Sequence, residues 1–187
     1  AYIAEQHLTP EAKEKCQHYL KHNLPHYSSW QDYWRHSDPF KEISFWHSSY
    51  VNKKFEVIGY KEDETRDAAY QVARITKEMS KGKYKNMSDS LVAVNLKLLI
   101  HMVGDMHCPT HIYFLEFPDC FQSPKDANGK RTPARDRMSV YYNDKKMTYH
   151  SFWDGPAINA IYPEYKSDYL YYAKAFDKAS AKQKAKF

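Results

Sequence analysis

The stretch from Ser88 to Pro109 constrains the fold more than any other part of the chain. Ser88 or Asp89 supplies an N-cap, Leu91, Val94, Leu98 and Met102 recur at helical spacing, and Pro109 bounds the segment. A helix with one apolar face is predicted. His101 and Asp105 stand four apart, so they share a helix face one turn beyond that stripe and point inward. A buried imidazole and carboxylate need partners, because an unpaired buried charge is costly. Two readings stay open: the pair satisfies itself, or it belongs to a larger polar site. His111 follows just beyond Pro109, where the chain can fold back.

The rest of the chain also favours helices. Thr9-Pro10-Glu11 reads as an N-cap, a first-turn proline and a dipole-matched acid, opening a helix to about His22. A second helix carries Trp30 to Arg35 and stops before Pro39. A third spans 64 to 80, with Ala69, Val72, Ile75 and Met79 near helical spacing and Gly82 as its stop. Residues 117 to 137, rich in Pro, Asp, Lys and Arg, read as a loop. Met138 to Tyr142 reads as a short strand, a helix follows His150 or Ser151, and another spans Lys166 to Lys184. No repeat, low-complexity tract or linker divides the chain. A mostly α, single-domain multi-helix bundle over residues 1–187 is expected, with at most a short sheet or hairpin around Phe114 to Tyr142.

Only five Gly are present, and strand-like alternation is scarce, which agrees with that class. The net charge of +5 suits a polyanionic partner, though many ordinary proteins are as basic. Seventeen Tyr and four Trp can stack on unpaired bases where exposed, or fill a core and its rim. Cys16, Cys108 and Cys120 cannot all pair; Cys108 and Cys120 can bridge in an oxidising compartment, or all three can be packed thiols. No apolar run approaches the roughly 20 residues that span a bilayer. No signal peptide is visible, and the start at Ala1 without Met reads as processed or trimmed.

Ten His invite chance matches, so spacing must carry the chemistry. The four-residue step of His101 and Asp105 returns in Tyr149-His150-Ser151-Phe152-Trp153-Asp154. One such pair means little; two, with His111 nearby, point to a metal. Imidazole nitrogens with carboxylate oxygens suit zinc, and a ligand set without thiolates favours an open catalytic site over a closed structural one. Asp32, in Trp30-Gln31-Asp32-Tyr33-Trp34-Arg35, and His47, in Phe45-Trp46-His47-Ser48-Ser49-Tyr50, join the set only through the whole constellation.

The sequence resembles the zinc-dependent single-strand nucleases of the S-one/P-one type, which share a fold with bacterial zinc phospholipase C. Leu99-Ile100-His101-Met102-Val103-Gly104-Asp105-Met106-His107-Cys108-Pro109-Thr110-His111 carries the strongest match. His150 to Asp154 matches the family's later His-x-x-x-Asp, Trp30 to Arg35 its Trp-Ala-Asp segment with the following Arg, and Tyr2 to Leu20 its first helix. The resemblance implies that Asp32, His47, His101 and Asp105 hold a first zinc, and that His111, His150 and Asp154 hold a second. It implies a third zinc beside Asp105, whose N-terminal ligands have no match here; His7 sits too far along to serve. The chain departs from the family at Ala134-Arg135-Asp136, where Gly-Gly-Asn is usual, and near Ile158 to Tyr162, where the family is longer.

The implied activity is phosphodiester hydrolysis, with Asp32 beside the attacking water and Arg35 offering a planar fork to the oxyanion. A salt bridge from Arg35 to Asp32 is the plainer reading. Single-stranded DNA or RNA is the expected substrate, and a periplasmic or extracellular location is implied. A zinc phospholipase C is the alternative; it should show an apolar rim, and no such stretch stands out. A non-catalytic zinc-stabilised helical binding domain is the reading from another class.

Overall fold

A computed structural model describes residues 1–59, 63–114, 139–157 and 169–179. Among these, α-helices dominate: α1 Tyr2–Gln6, α2 Pro10–Tyr19, α3 Trp30–Trp34, α4 Ala68–Met79, α5 Asp89–Asp105, α6 Tyr149–Asp154 and α7 Tyr169–Lys178. Short 3-10 turns link several of them. The mostly helical class holds. Helix α2 ends at Tyr19 rather than His22, with Leu20 already extended at its C-cap. The loop from 117 to 137, Cys120, Ala134-Arg135-Asp136, all of Ile158 to Tyr162 and both ends of the Lys166 to Lys184 helix lie outside the described residues. No described helix is long and apolar enough to cross a membrane.

Helix α5 is the axis of the molecule. Ser88 caps it, its Oγ accepting from the Leu91 amide at 3.3 Å. One side of α5 places Leu98 and Met102 in a cluster with Ile43 and Ile75, flanked by Trp30, Trp46, Val72 and Val94. The other side places Leu96 and Ile100 against Leu20, Leu24 and Tyr27. The single apolar face predicted from Leu91 is therefore corrected. Leu91 is 47% exposed, while Val92, Asn95, Leu98, His101 and Met102 are buried. A helix packed on two sides is apolar around most of its circumference, so a single stripe cannot be phased from sequence.

The strands exceed the expected hairpin. β1 Ser49–Val51 pairs in parallel with β2 Ile112–Phe114, in the register Ser49↔Ile112, Tyr50↔Tyr113 and Val51↔Phe114. β3 Ser139–Tyr142 pairs antiparallel with β4 Lys145–Thr148. Asn143 and Asp144, between them, take positive φ values of 49° and 60°, a two-residue turn suited to such side chains. The parallel pair was not legible because each strand is only three residues long. Its partners also lie far apart in sequence.

Asp67 fixes this arrangement. Fully buried, it caps α4 by accepting from the Ala69 and Tyr70 amides at 2.8 and 3.2 Å. The same carboxylate accepts from Ser49 Oγ at 2.9 Å and the Tyr50 amide at 2.8 Å. One side chain thus ties the start of α4 to β1, two residues beyond His47.

Candidate metal centre

Three local devices carry the candidate ligands. The last turn of α5 presents His101 and Asp105 on one face, as their spacing requires. The β1–β2 ladder draws the residues just before each strand together, so that the His111 ring Nδ1 reaches the His47 carbonyl oxygen. The β3–β4 hairpin delivers Thr148, whose Oγ1 accepts from the Ser151 amide at 3.0 Å and starts α6. That short helix presents His150 and Asp154, with His150 Nε2 3.0 Å from Asp154 Oδ2.

Asp32, His47, His101 and Asp105 meet in one cluster. Asp105 Oδ2 lies 3.1 Å from both His47 Nδ1 and His101 Nε2. Asp32 stands 3.9 Å from each of the same two nitrogens. His101 and His47 are buried and Asp32 is exposed, so the cluster opens to solvent on the Asp32 side. His111, His150 and Asp154 form a second group, with the two Nε2 atoms 3.0 Å apart. The groups adjoin, since Asp105 Oδ2 is also 3.6 Å from His111 Nδ1. All seven expected ligands are therefore brought together.

Backbone contacts identify which nitrogens are free. A carbonyl oxygen only accepts, so His101 Nδ1 donates to Ser28 O at 2.6 Å and His111 Nδ1 donates to His47 O. In the neutral form that metal binding requires, each of these two rings would present a bare Nε2 lone pair. His101 Nε2 sits 3.2 Å from His47 Nδ1, and His111 Nε2 faces His150 Nε2. Gathered imidazoles beside carboxylates, with two of the rings, His101 and His111, pinned by backbone carbonyls, suit a zinc ion. A structural His–Asp pair needs neither the second histidine nor the second acid. His47 enters the cluster through Nδ1, while its Nε2 is buried with no hydrogen-bond partner among the described residues.

Arg35 Nη1 lies 3.4 Å from Asp32 Oδ1, and its Nε contacts His36 Nε2 at 3.2 Å. The plainer salt-bridge reading is thus present, and among the described residues the Nη2 hydrogens have no partner that would keep them from an incoming anion. Cys108 was read from sequence only as a bridging or packed thiol. The structure buries it with Sγ close to His111 and His150. Its position three residues before His111 was the signal that could have found it.

Burial alone would push the His101 imidazole down. The hydrogen bond and charge of Asp105, with the Ser28 carbonyl and the Asp32 charge, outweigh it and hold the ring above its usual value. Burial would likewise raise Asp105, but hydrogen bonds from His101 and His47 hold it well below the carboxylate range. The lowered Asp105 contributes stability present above its unfolded value of about 3.9 and lost as pH falls through the folded value. The raised His101 contributes stability present below its unfolded value of about 6.5 and lost as pH rises through the folded value. Chelator-treated protein should therefore be helped most by this pair between about pH 4 and 6.5. Zinc held by His101 would have to displace its proton, so any stabilisation by zinc should grow as pH rises. Thermal melts with and without chelator, from acid to mildly alkaline pH, check this. Curves that stay parallel would remove these residues from the metal site.

A family model described as S1/P1 Nuclease matches residues 1–187. No curated protein matches the chain.

Proposed function

The chain belongs to the S1/P1 nuclease family, and from that premise we propose a zinc-dependent hydrolase of single-stranded nucleic acid. The family supports the coarser activity, hydrolysis of phosphodiester bonds. The adjoining clusters, linked through Asp105 Oδ2, are the observation that carries the finer reading. Asp32, His47, His101 and Asp105 would hold one zinc, and His111, His150 and Asp154 a second. Zinc bound there supplies Lewis acidity and a water with a pKa lowered to roughly 7.

The chain's own residues do the rest. Asp32, exposed at the cluster's mouth, orients the attacking water and accepts its proton at a carboxylate oxygen. Arg35 is held beside Asp32 and offers Nη2 hydrogens to the phosphoryl oxygens as charge builds on them. His101 and His111 keep their rings fixed through the Ser28 and His47 carbonyls, so little rearrangement is needed at reaction.

Single-strand preference is supported by exposed aromatics beside the ligands in sequence: Tyr33 and Trp34 next to Asp32, Phe45 near His47, and Trp153 next to Asp154. Base–aromatic stacking is open only to unpaired bases and is worth about 1–3 kcal/mol per base. We also propose that residues 1–187 form one domain and that the protein acts in the periplasm or outside the cell, on the resemblance alone.

Hydrolysis of single-stranded and duplex DNA by zinc-loaded protein, beside a phosphatidylcholine analogue, tests the reading. The lipid arm has a specific reason. Phe55, Val57 and Ile58 are exposed, an apolar stretch that the sequence did not make evident. Cleavage of single strands well above duplex and lipid is expected. Turnover of lipid alone would make this a phospholipase, and no turnover with zinc bound would make it a binding domain. Arg35→Ala should retain both metals and slow hydrolysis about a hundred- to a thousand-fold, the worth of an oxyanion contact. An unchanged rate would leave Arg35 as a surface partner of Asp32.

A further inference from the structure

We propose that Cys108 is a protein ligand of the second metal, completing a Cys108, His111, His150 and Asp154 set. The inference rests on the reading that this cluster binds zinc. Cys108 Sγ and one ring nitrogen each of His111 and His150 lie within 4.8 Å of one another. Zinc bonds of about 2.3 Å to sulfur and 2.0–2.1 Å to nitrogen let one ion bridge such a group after small adjustments. Asp154 flanks the same space: its Oδ1 is 4.0 Å from the sulfur, and its Oδ2 meets His150.

The local backbone explains the approach. Pro109–His111 form a 3-10 turn, with the His111 amide donating to the Cys108 carbonyl at 3.0 Å. That turn sets residues three apart on one side, so Cys108 and His111 face a common point. Cys108 is only 6% exposed, which shields its sulfur from bulk water. Thr110 Oγ1 lies 2.9 Å from Sγ, and its hydroxyl can donate to a thiolate as an outer-shell partner does. A thiol merely packed in the core would account for the Thr110 contact. It would not require the sulfur to lie within 4.8 Å of the ring nitrogens that the second metal would use.

When the ion binds, the S–H bond breaks, the proton leaves to solvent, and the sulfur pair forms the new bond; nothing is oxidised. A sulfur donor makes the second site softer than the all-nitrogen-and-oxygen first site. The two sites should therefore differ in metal preference, with the second favouring zinc over magnesium or manganese most strongly.

Cobalt substitution separates this inference from the reading it rests on. Metal analysis gives occupancy, and the near-ultraviolet sulfur-to-cobalt charge-transfer band reports thiolate ligation. Two bound ions with the band are expected. Cys108→Ser should lose the band and weaken one binding step by more than the roughly 10–100-fold that an outer-shell partner carries. Cys16→Ser should keep the band. The zinc-loaded unmutated protein should show, in X-ray absorption, a sulfur shell near about 2.3 Å. Two ions without a band, or a zinc edge with nitrogen and oxygen neighbours only, overturns the Cys108 assignment and leaves the metal centre standing. A Cys108–Cys120 bridge in non-reducing peptide maps overturns it as well. Failure to bind a second ion at all sinks both, and occupancy rather than the band reveals that outcome.

Discussion

Asp105→Asn should strip at least one zinc from the protein and abolish turnover. One carboxylate oxygen of Asp105 stands 3.1 Å from His47 and His101 and 3.6 Å from His111, so it serves both clusters. Asparagine keeps the size and removes the charge that offsets dication repulsion. The loss of rate should exceed the roughly thousand-fold that a single oxyanion contact supplies, because the metals themselves depart. Helix α5 should persist, since Leu98 and Met102 still anchor it. Metal counting, circular dichroism and a single-strand cleavage assay read the three outcomes. Zinc content equal to that of the unmutated protein would deny Asp105 its shared role.

The largest effect on stability is expected at Asp67, which lies outside both candidate metal clusters. Asp67→Ala removes the cap of α4 and leaves the buried Ser49 hydroxyl and Tyr50 amide without their acceptor. A lost cap costs about 0.5–2 kcal/mol, and each unsatisfied buried group about 1–3 kcal/mol. The upper ends do not add in full, because the Tyr50 amide is only half-buried, and a destabilisation of about 3–5 kcal/mol is expected, at the high end for single substitutions. In a chain of this size that lowers Tm by roughly 6–20 °C. Below that lowered midpoint the folded variant should also bind zinc less well, because β1 sets the position of His47. Asp67→Asn keeps an acceptor oxygen and should restore part of both losses. Urea denaturation with zinc titration measures them; a cost under about 1 kcal/mol, the worth of one ordinary hydrogen bond, would show that the ladder holds β1 without Asp67.

Much of the centre was legible because its ligands come in local pairs. His101 with Asp105 and His150 with Asp154 each sit one helical turn apart, and sequence spacing alone puts each pair on one face. The caps behaved likewise. Thr9 accepts from the Ala12 amide and Ser88 from that of Leu91, interactions closed within three residues. Asp32 and His47 were different. Nothing local distinguishes them from other polar residues, and only the whole constellation, with the family pattern it matches, promotes them.

What the sequence determined by itself was therefore whatever short-range geometry enforces: the helical class, the helix starts, and the two His–Asp pairs. Tertiary structure decided what depends on residues far apart. Which sides of α5 are covered was set by two clusters packing on it, and Leu91 was left in solvent. Whether the pairs form one centre was set by the parallel ladder, which ends its strands beside His47 and His111. The free ring nitrogens were chosen by the Ser28 and His47 carbonyls, backbone atoms that no side-chain pattern encodes. Loop closure between distant segments costs entropy that only the assembled core and ladder repay, so such contacts leave no local periodicity to read.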